Sequence, residues 1–453
     1  MDALIVVFLT GIVSMFIALA KKPNLVLMSS MTGLVAALIL LIMQWYVPKS
    51  LVTYDGLEFD RIAILYSMLA VVITILILAG GFAHFRKEPE HTGEYMSLLT
   101  FSLVGAMCMF SFTDLFMFFI GLEILSIPIY VMAGTRKGNP LSVEAALKYF
   151  FTGSFATGIF LFGTAFLYGA TGSFKLSDIQ MAIADGSAQG TLLGIGMLIM
   201  MASFLFKVGA APFHFWGPDV YSGSPSIVTG YMAAVVKLAG MFAFMKLFTF
   251  VFGEQGYAIW SGALFGLIIL TMFVGNLSAL AQVRFKRVIA YSSIANAGYA
   301  LIAVLTQDIA SLWNLWMYLL GYGFAIVILL VIAQWVNDEE DRIDAFKGIA
   351  RRKPFVGVVM IAALLSLAGV PPLAGFFGKY MVFSAAFDQY PTLIILAVIN
   401  SAIGVYYYLR LVVVALSAPE EETQVELTSI PFLTSVVLFI AFIALLIGGF
   451  LTI

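Results

Sequence analysis

Six ionisable side chains stand in stretches of sequence that are otherwise apolar: Glu123, Lys148, Lys207, Lys237, Lys246 and Lys379. A cation in the middle of a membrane helix costs at least about 2.5 kcal/mol, so each needs a reason to be there. Apolar surroundings disfavour a charged form and a nearby opposite charge favours it. A lysine that gains and loses a carboxylate partner therefore takes up and releases a proton. Glu123 lies in Gly121-Leu122-Glu123-Ile124-Leu125-Ser126-Ile127-Pro128. Lys207 ends a half-helix at Phe206-Lys207-Val208-Gly209, where the helix dipole favours an ammonium group. The two are candidates for such a switch, with a static ion pair as the plainer reading. Lys237 has no acid within one helical turn and must face water or another helix. Lys379 is either a terminal relay or a lysine reaching a polar loop.

Further candidates are accessory. Glu144 and Lys148 have the spacing of a helical salt bridge. His214 either shuttles protons near neutral pH or satisfies open backbone beside it. Lys246 is expected to snorkel and Asp114 to cap a helix. Arg284, Lys286 and Arg287 read as orientation signals. Tyr406–Tyr408 reads as aromatic packing or an interfacial belt.

The elements that must hold these groups follow from composition. The chain has 453 residues, of which 62% are hydrophobic and 11% charged, against about 25% charged in a soluble domain. Mean hydropathy is +1.05. A cytosolic enzyme and a disordered chain are excluded, and a net charge of −2 leaves no basic field for nucleic acid. One cysteine, Cys108, rules out a disulfide framework and a Cys-ligated iron–sulfur cluster in this chain. Three histidines leave little for a haem or zinc site. No cofactor or metal is expected in this chain.

A membrane helix needs roughly 20 apolar residues. Fourteen such runs are predicted, at 2–20, 24–46, 60–84, 93–111, 113–133, 141–169, 190–221, 225–249, 256–278, 284–305, 307–335, 354–388, 391–415 and 431–452. The fold class is all-α and polytopic, with the lipid bilayer as solvent. Met1–Ala20 lacks a basic start and reads as the first span, not a signal peptide. Asn337–Asp341 and Glu420–Glu422 read as solvated loop. Lys21–Lys22, Arg86–Lys87, Arg136–Lys137, Arg284–Arg287 and Arg342–Lys353 follow odd-numbered spans, whereas loops after even spans carry only Lys49, Arg61 and Lys175. Positive charge marks the cytoplasmic side, so both termini are expected outside.

Spans seven and twelve are too long and are interrupted, at Gly209-Ala210-Ala211-Pro212 and Gly369-Val370-Pro371-Pro372. Proline removes a backbone donor and breaks each helix there. The two spans run in opposite directions, which is the mark of an inverted repeat and points to an ion path. The expected division is an N-terminal part (1–92), two inverted five-helix repeats (93–250 and 251–415) with discontinuous helices seven and twelve, and a last helix (416–453).

Five segments carry a family resemblance: Gly121–Tyr130, Ser142–Phe150, Phe206–Tyr221, Arg284–Ile294 and Ser366–Lys379. The chain resembles the antiporter-like membrane subunits of proton-pumping NADH:quinone oxidoreductase, respiratory complex I. Lysine rather than glutamate at 379, and an end at Ile453 without a long helical arm, make the resemblance that of subunit N. The resemblance implies that Glu123 and Lys207 form a gating pair, with Lys237 the middle and Lys379 the terminal relay of a path out of the cytoplasm. It implies that FMN, iron–sulfur clusters, NADH and quinone belong to other subunits, which would be this chain's partners in a bacterial plasma membrane. A multisubunit cation/proton antiporter, a membrane-bound hydrogenase subunit and a non-conducting scaffold are the alternatives.

Overall fold

The computed structural model describes residues 1–46, 56–86, 91–306, 308, 310–338, 340–418, 427 and 429–450, apart from the side chains at 254 and 255. The acidic stretch Glu420–Glu422 and Lys49, Lys87 and Glu339 lie outside the described residues.

Helices account for the described chain in the order α1 (Asp2–Ala18), α2 (Pro23–Tyr46), α3 (Arg61–Phe85), α4 (Thr92–Ser111), α5 (Leu115–Ala133) and α6 (Pro140–Thr171). A short α7 (Leu176–Ala184) precedes α8 (Gly190–Val208) and α9 (Trp216–Gly223), the two halves of span seven. Span eight runs through α10 (Ser226–Tyr231), a π-helical turn at Met232–Val236, α11 (Lys237–Met245) and a second π segment at Lys246–Val251. Then come α12 (Gly253–Leu280), α13 (Phe285–Leu305), α14 (Ala310–Val336) and the short α15 (Ile349–Arg352). The halves of span twelve are α16 (Pro354–Ala368) and α17 (Ala374–Phe387), followed by α18 (Pro391–Leu416) and α19 (Phe432–Gly448). Among the described residues eleven helices are long and apolar enough to cross a membrane, and Asp2–Ala18, Pro354–Ala368 and Phe432–Gly448 are shorter apolar ones. These fourteen match the expected spans.

Helix ends follow local chemistry. Asp60, Asp114 and Asn139 accept backbone N–H groups of the first turns of α3, α5 and α6, as expected for Asp114. Spans eight, ten and eleven are almost wholly buried, whereas α2 is buried over 28% of its apolar stretch and α6, α12 and α18 over 39% of theirs. The outer helices present side chains such as Phe16, Met43, Phe155 and Ile399. An apolar outer face with buried backbone suits hydrocarbon.

The two breaks are built alike. Gly209 (φ 74°) and Gly369 (φ 86°) end α8 and α16 in the left-handed conformation. Ala210 N–H donates to the Leu205 carbonyl, and Val370 N–H to that of Leu365. This is a Schellman end, which glycine adopts without strain. The proline-containing turn follows in each, with cis peptides at Ala211-Pro212 and Pro371-Pro372. The correspondence extends further. Antiparallel bridges join Asp114 to Lys175 and Arg284 to Arg342, each linking the start of a repeat's second span to the loop before its broken span. Lys246 Nζ donates to the Phe112 carbonyl at 2.7 Å, and Arg410 Nη1 to the Gln282 carbonyl at 3.2 Å. Lys246 thus staples the end of span eight to the loop before α5. Inverted repeats place these paired staples on opposite faces.

Candidate functional site

The first broken helix sets one lysine against α5. Glu123, Ser126 and Tyr130 share a face of α5, spaced three and four residues apart. Ser102 on α4 donates to the Leu125 carbonyl at 2.7 Å and ties α5 in place. Thr157 on α6 donates to Glu123 Oε1 at 2.9 Å. Lys207, in the last turn of α8, points its amine at Ser126 Oγ and Tyr130 Oη, both at 3.4 Å. Lys207 thus reaches the Glu123 face one to two turns away, and among the described residues no ion pair joins the two. The Trp216 indole donates to the Phe206 carbonyl at 3.1 Å, so α9 holds the residue next to Lys207.

Lys237 follows the π-helical turn of span eight, a feature common where a helix serves a site. Its amine donates to the Ser293 carbonyl at 2.6 Å and to the Ser293 hydroxyl. Tyr322 Oη donates to the same hydroxyl at 2.8 Å, and the amine lies 5.4 Å from the Tyr322 ring centre. A cavity of about 10 Å³, the room of one water molecule, is lined by Lys207, Trp216, Lys237 and Ser293. Lys207 and Lys237 therefore share one small space.

Lys379 folds back from α17 onto the end of α16. Its amine donates to the Leu367 carbonyl at 2.7 Å and to Ser401 Oγ at 3.3 Å, and lies 5.2 Å from the Tyr299 ring centre. The negative end of the α16 dipole suits this cation. It reaches the break, not a surface loop.

Between Lys237 and Lys379 lies a network that sequence reasoning missed. Ser292, Ser293, Asn296 and Tyr299 follow helical spacing along α13. Ser292 Oγ and Tyr408 Oη hydrogen bond at 2.5 Å, Asn296 Nδ2 donates to Tyr408 Oη at 3.2 Å, and Tyr318 Oη donates to Asn296 Oδ1 at 2.7 Å. Tyr299 Oη donates to Asn400 Oδ1 and Tyr407 Oη to Asn276 Oδ1, both at 2.8 Å. Tyr407 and Tyr408 are thus buried hydrogen-bonding groups, and only Tyr406, 65% exposed, faces outward. The signal was Tyr291-Ser292-Ser293-Ile294-Ala295-Asn296 inside an apolar span.

Two of the accessory residues, Glu144 and Lys148, lie near the start of α6. Lys148 Nζ pairs with Glu144 at 2.5 Å, as spaced, and also with Asp219 at 2.7 Å. Arg287 pairs with Asp219 at 2.8 Å. Lys286 is 5% exposed, and its amine donates to the carbonyls of Ser222 and Ser224. These two cations therefore do structural work within the bundle, beyond an orientation signal. His214 lies in the turn between α8 and α9, and its buried Nδ1 has no hydrogen-bond partner among the described residues. A cavity of about 1320 Å³ opens between loops that follow odd-numbered spans, lined by His84, Glu94, Tyr130, Arg136, Lys286 and Asp341 among others. Burial pushes the Asp341 carboxyl up to about 6, against the pull of Lys286. Among the described residues no group of three His, Cys, Asp or Glu could hold a metal ion.

Residues 113–404 match the family described as NADH:quinone oxidoreductase/Mrp antiporter, transmembrane. NADH-quinone oxidoreductase subunit N of Cytophaga hutchinsonii is 37% identical over 99% of this chain and 98% of its own. A chain of respiratory complex I from Thermus thermophilus, solved with bound aureothin, superposes with a TM-score of 0.87 at 31% identity, covering 99% of this chain and 97% of that one. A chain of the Mrp complex from a Dietzia strain superposes at 0.82 with 19% identity, covering 100% and 95%, which is a likeness of fold alone.

Proposed function

The chain belongs to the NADH-quinone oxidoreductase subunit N family, and on that premise we propose how its buried charges carry protons. It is an antiporter-like, multi-pass membrane subunit of that oxidoreductase and serves its proton translocation. Its partners are other subunits of respiratory complex I, with neighbouring antiporter-like and small membrane subunits as the proposed contacts. The redox groups sit elsewhere in the complex. In this reading the loops after odd spans face the bacterial cytoplasm and both termini face outward. Segments 93–250 and 251–415 are the two repeats, flanked by 1–92 and 416–453.

The proton enters the large cytoplasmic cavity and meets Tyr130, whose hydroxyl lies 3.4 Å from Lys207. Glu123, on the same face of α5, sets the charge state of Lys207 when the two approach. From Lys207 the proton crosses the small shared cavity to Lys237, then follows the hydroxyls and amides of α13 to Lys379. Water must bridge the steps that side chains do not span. Glu144, Lys148 and His214 are accessory. The observation that carries this reading is that the buried amines of Lys237 and Lys379 and the half-buried amine of Lys207 all meet hydroxyl or carbonyl partners inside the bundle.

Lys237→Gln in the assembled complex tests it. Inverted membrane vesicles oxidising NADH are expected to lose most of their proton pumping, since one relay proton site is gone. Unchanged pumping at unchanged NADH oxidation rejects the path. The multisubunit antiporter is the lesser reading, because near-full-length identity lies with the oxidoreductase subunit and only fold likeness with the Mrp chain.

A further inference from the structure

The half-helix α9 begins after an irregular break at residues 210–215, so it does not inherit its direction from α8. Three grips set that direction. Its first residue, Trp216, stacks on Tyr149 at 4.8 Å and donates to the Phe206 carbonyl, next to Lys207. Its last residues are held by the Lys286 amine, which binds the carbonyls of Ser222 and Ser224. Between them, Asp219 splits its carboxylate: Oδ2 to Lys148 on α6 at 2.7 Å, and Oδ1 to Arg287 on α13 at 2.8 Å. Lys148 also holds Glu144, so four charges alternate in sign across three helices.

The four side chains are between about a quarter and a half exposed. Pairs at such exposure contribute little stability each. What a shared carboxylate supplies is direction, since two cations on separate helices fix its place from both sides. Asp219 and Trp216 lie three residues apart on one face of α9. A roll of α9 that releases Asp219 therefore also drags Trp216 from the Phe206 carbonyl. The same α13 that carries Arg287 carries Ser293, which holds Lys237.

We propose that Asp219 is a positioning residue for the proton path, joining α6 of the first repeat to α13 of the second. It sets the angle of α9 and through Trp216 the reach of Lys207 toward Tyr130 and the cavity shared with Lys237. This deepens the proton-path reading and rests on it.

The test measures protons moved per NADH oxidised in vesicles carrying the assembled complex with Asp219→Asn, Asp219→Glu, Arg287→Gln or Lys207→Ala. A merely structural defect lowers assembly, NADH oxidation and pumping together and leaves that ratio intact. Asp219→Asn is expected to lower the ratio roughly threefold, the order of one interhelical coupling. Arg287→Gln should lower it less, because Lys148 still holds the carboxylate. Asp219→Glu should restore the ratio, since the longer carboxylate keeps both cations. If Asp219→Asn fails to assemble, Arg287→Gln with normal assembly carries the same reading. A wild-type ratio in these variants, with a lowered ratio in Lys207→Ala, overturns the positioning role alone. A wild-type ratio in Lys207→Ala overturns the path itself.

Discussion

At the scale of single residues, the site divides into groups held by neutral partners and groups held by charge. The amines of Lys207, Lys237 and Lys379 meet hydroxyls and carbonyls. The cluster that joins α6, α9 and α13 instead carries ion pairs. Asp341 stands between these regimes, at the wall of the large cavity. Its carboxyl accepts the Lys286 backbone N–H at 2.8 Å, Lys286 and Arg284 favour its charge, and Asp338 opposes it. Burial wins and lifts it to about 6 from 3.8. A carboxyl raised in the folded state contributes stability that is full below its ordinary value and is lost as pH rises through the raised one. The apparent melting temperature of the solubilised complex is expected to carry a component that falls between about pH 4 and pH 6. Asp341→Asn should flatten that component, and an unchanged slope in the variant counts against Asp341 as its source. The intramembrane charges were legible from sequence because a lysine in an apolar run has no ordinary explanation. Ser292, Asn296 and Tyr408 were not, because each is individually common in membrane helices and only their convergence makes a network.

At the scale of elements, the paired breaks were legible because glycine and proline act on the backbone itself. Lys286 and Arg287 were read as orientation signals at the start of span ten for the opposite reason. A charge count registers their side of the membrane but not that one amine binds the end of α9 and the other cation pairs with Asp219. The two terminal glycines offer a contrast. A Cβ at either position suffers the left-handed backbone, costing about 1–2 kcal/mol. At Gly209 the nearest atom is 3.9 Å away on Trp216, so the cost is in the backbone alone. At Gly369 the Cβ comes within 3.3 Å of Lys379 Cδ and 3.5 Å of its Nζ. Gly209→Ala and Gly369→Ala are therefore expected to lower thermal stability alike, while Gly369→Ala alone also displaces the terminal amine and lowers proton pumping. Equal pumping in both variants, measured in vesicles at matched complex content, would separate Lys379 from the break it caps.

At the scale of the whole molecule, the fold needs one orientation for its inverted repeats to make a path across the membrane. Positive charge sets that orientation, and the large cavity is walled by the loops that carry it. The proposed sidedness makes a direct demand on accessibility. Cys108 is the single cysteine and is 5% exposed, so an engineered thiol reports alone. Ser187 is exposed in the loop after span six, and Gly138 is exposed in the loop after span five, with nothing within 4 Å of an added Cβ. In intact spheroplasts, Ser187→Cys is expected to react with a membrane-impermeant maleimide, and Gly138→Cys to react only after the membrane is opened. The reverse pattern would invert the molecule. The large cavity would then face outward, Lys379 would lie toward the cytoplasm, and the same three lysines would have to carry protons in the other order.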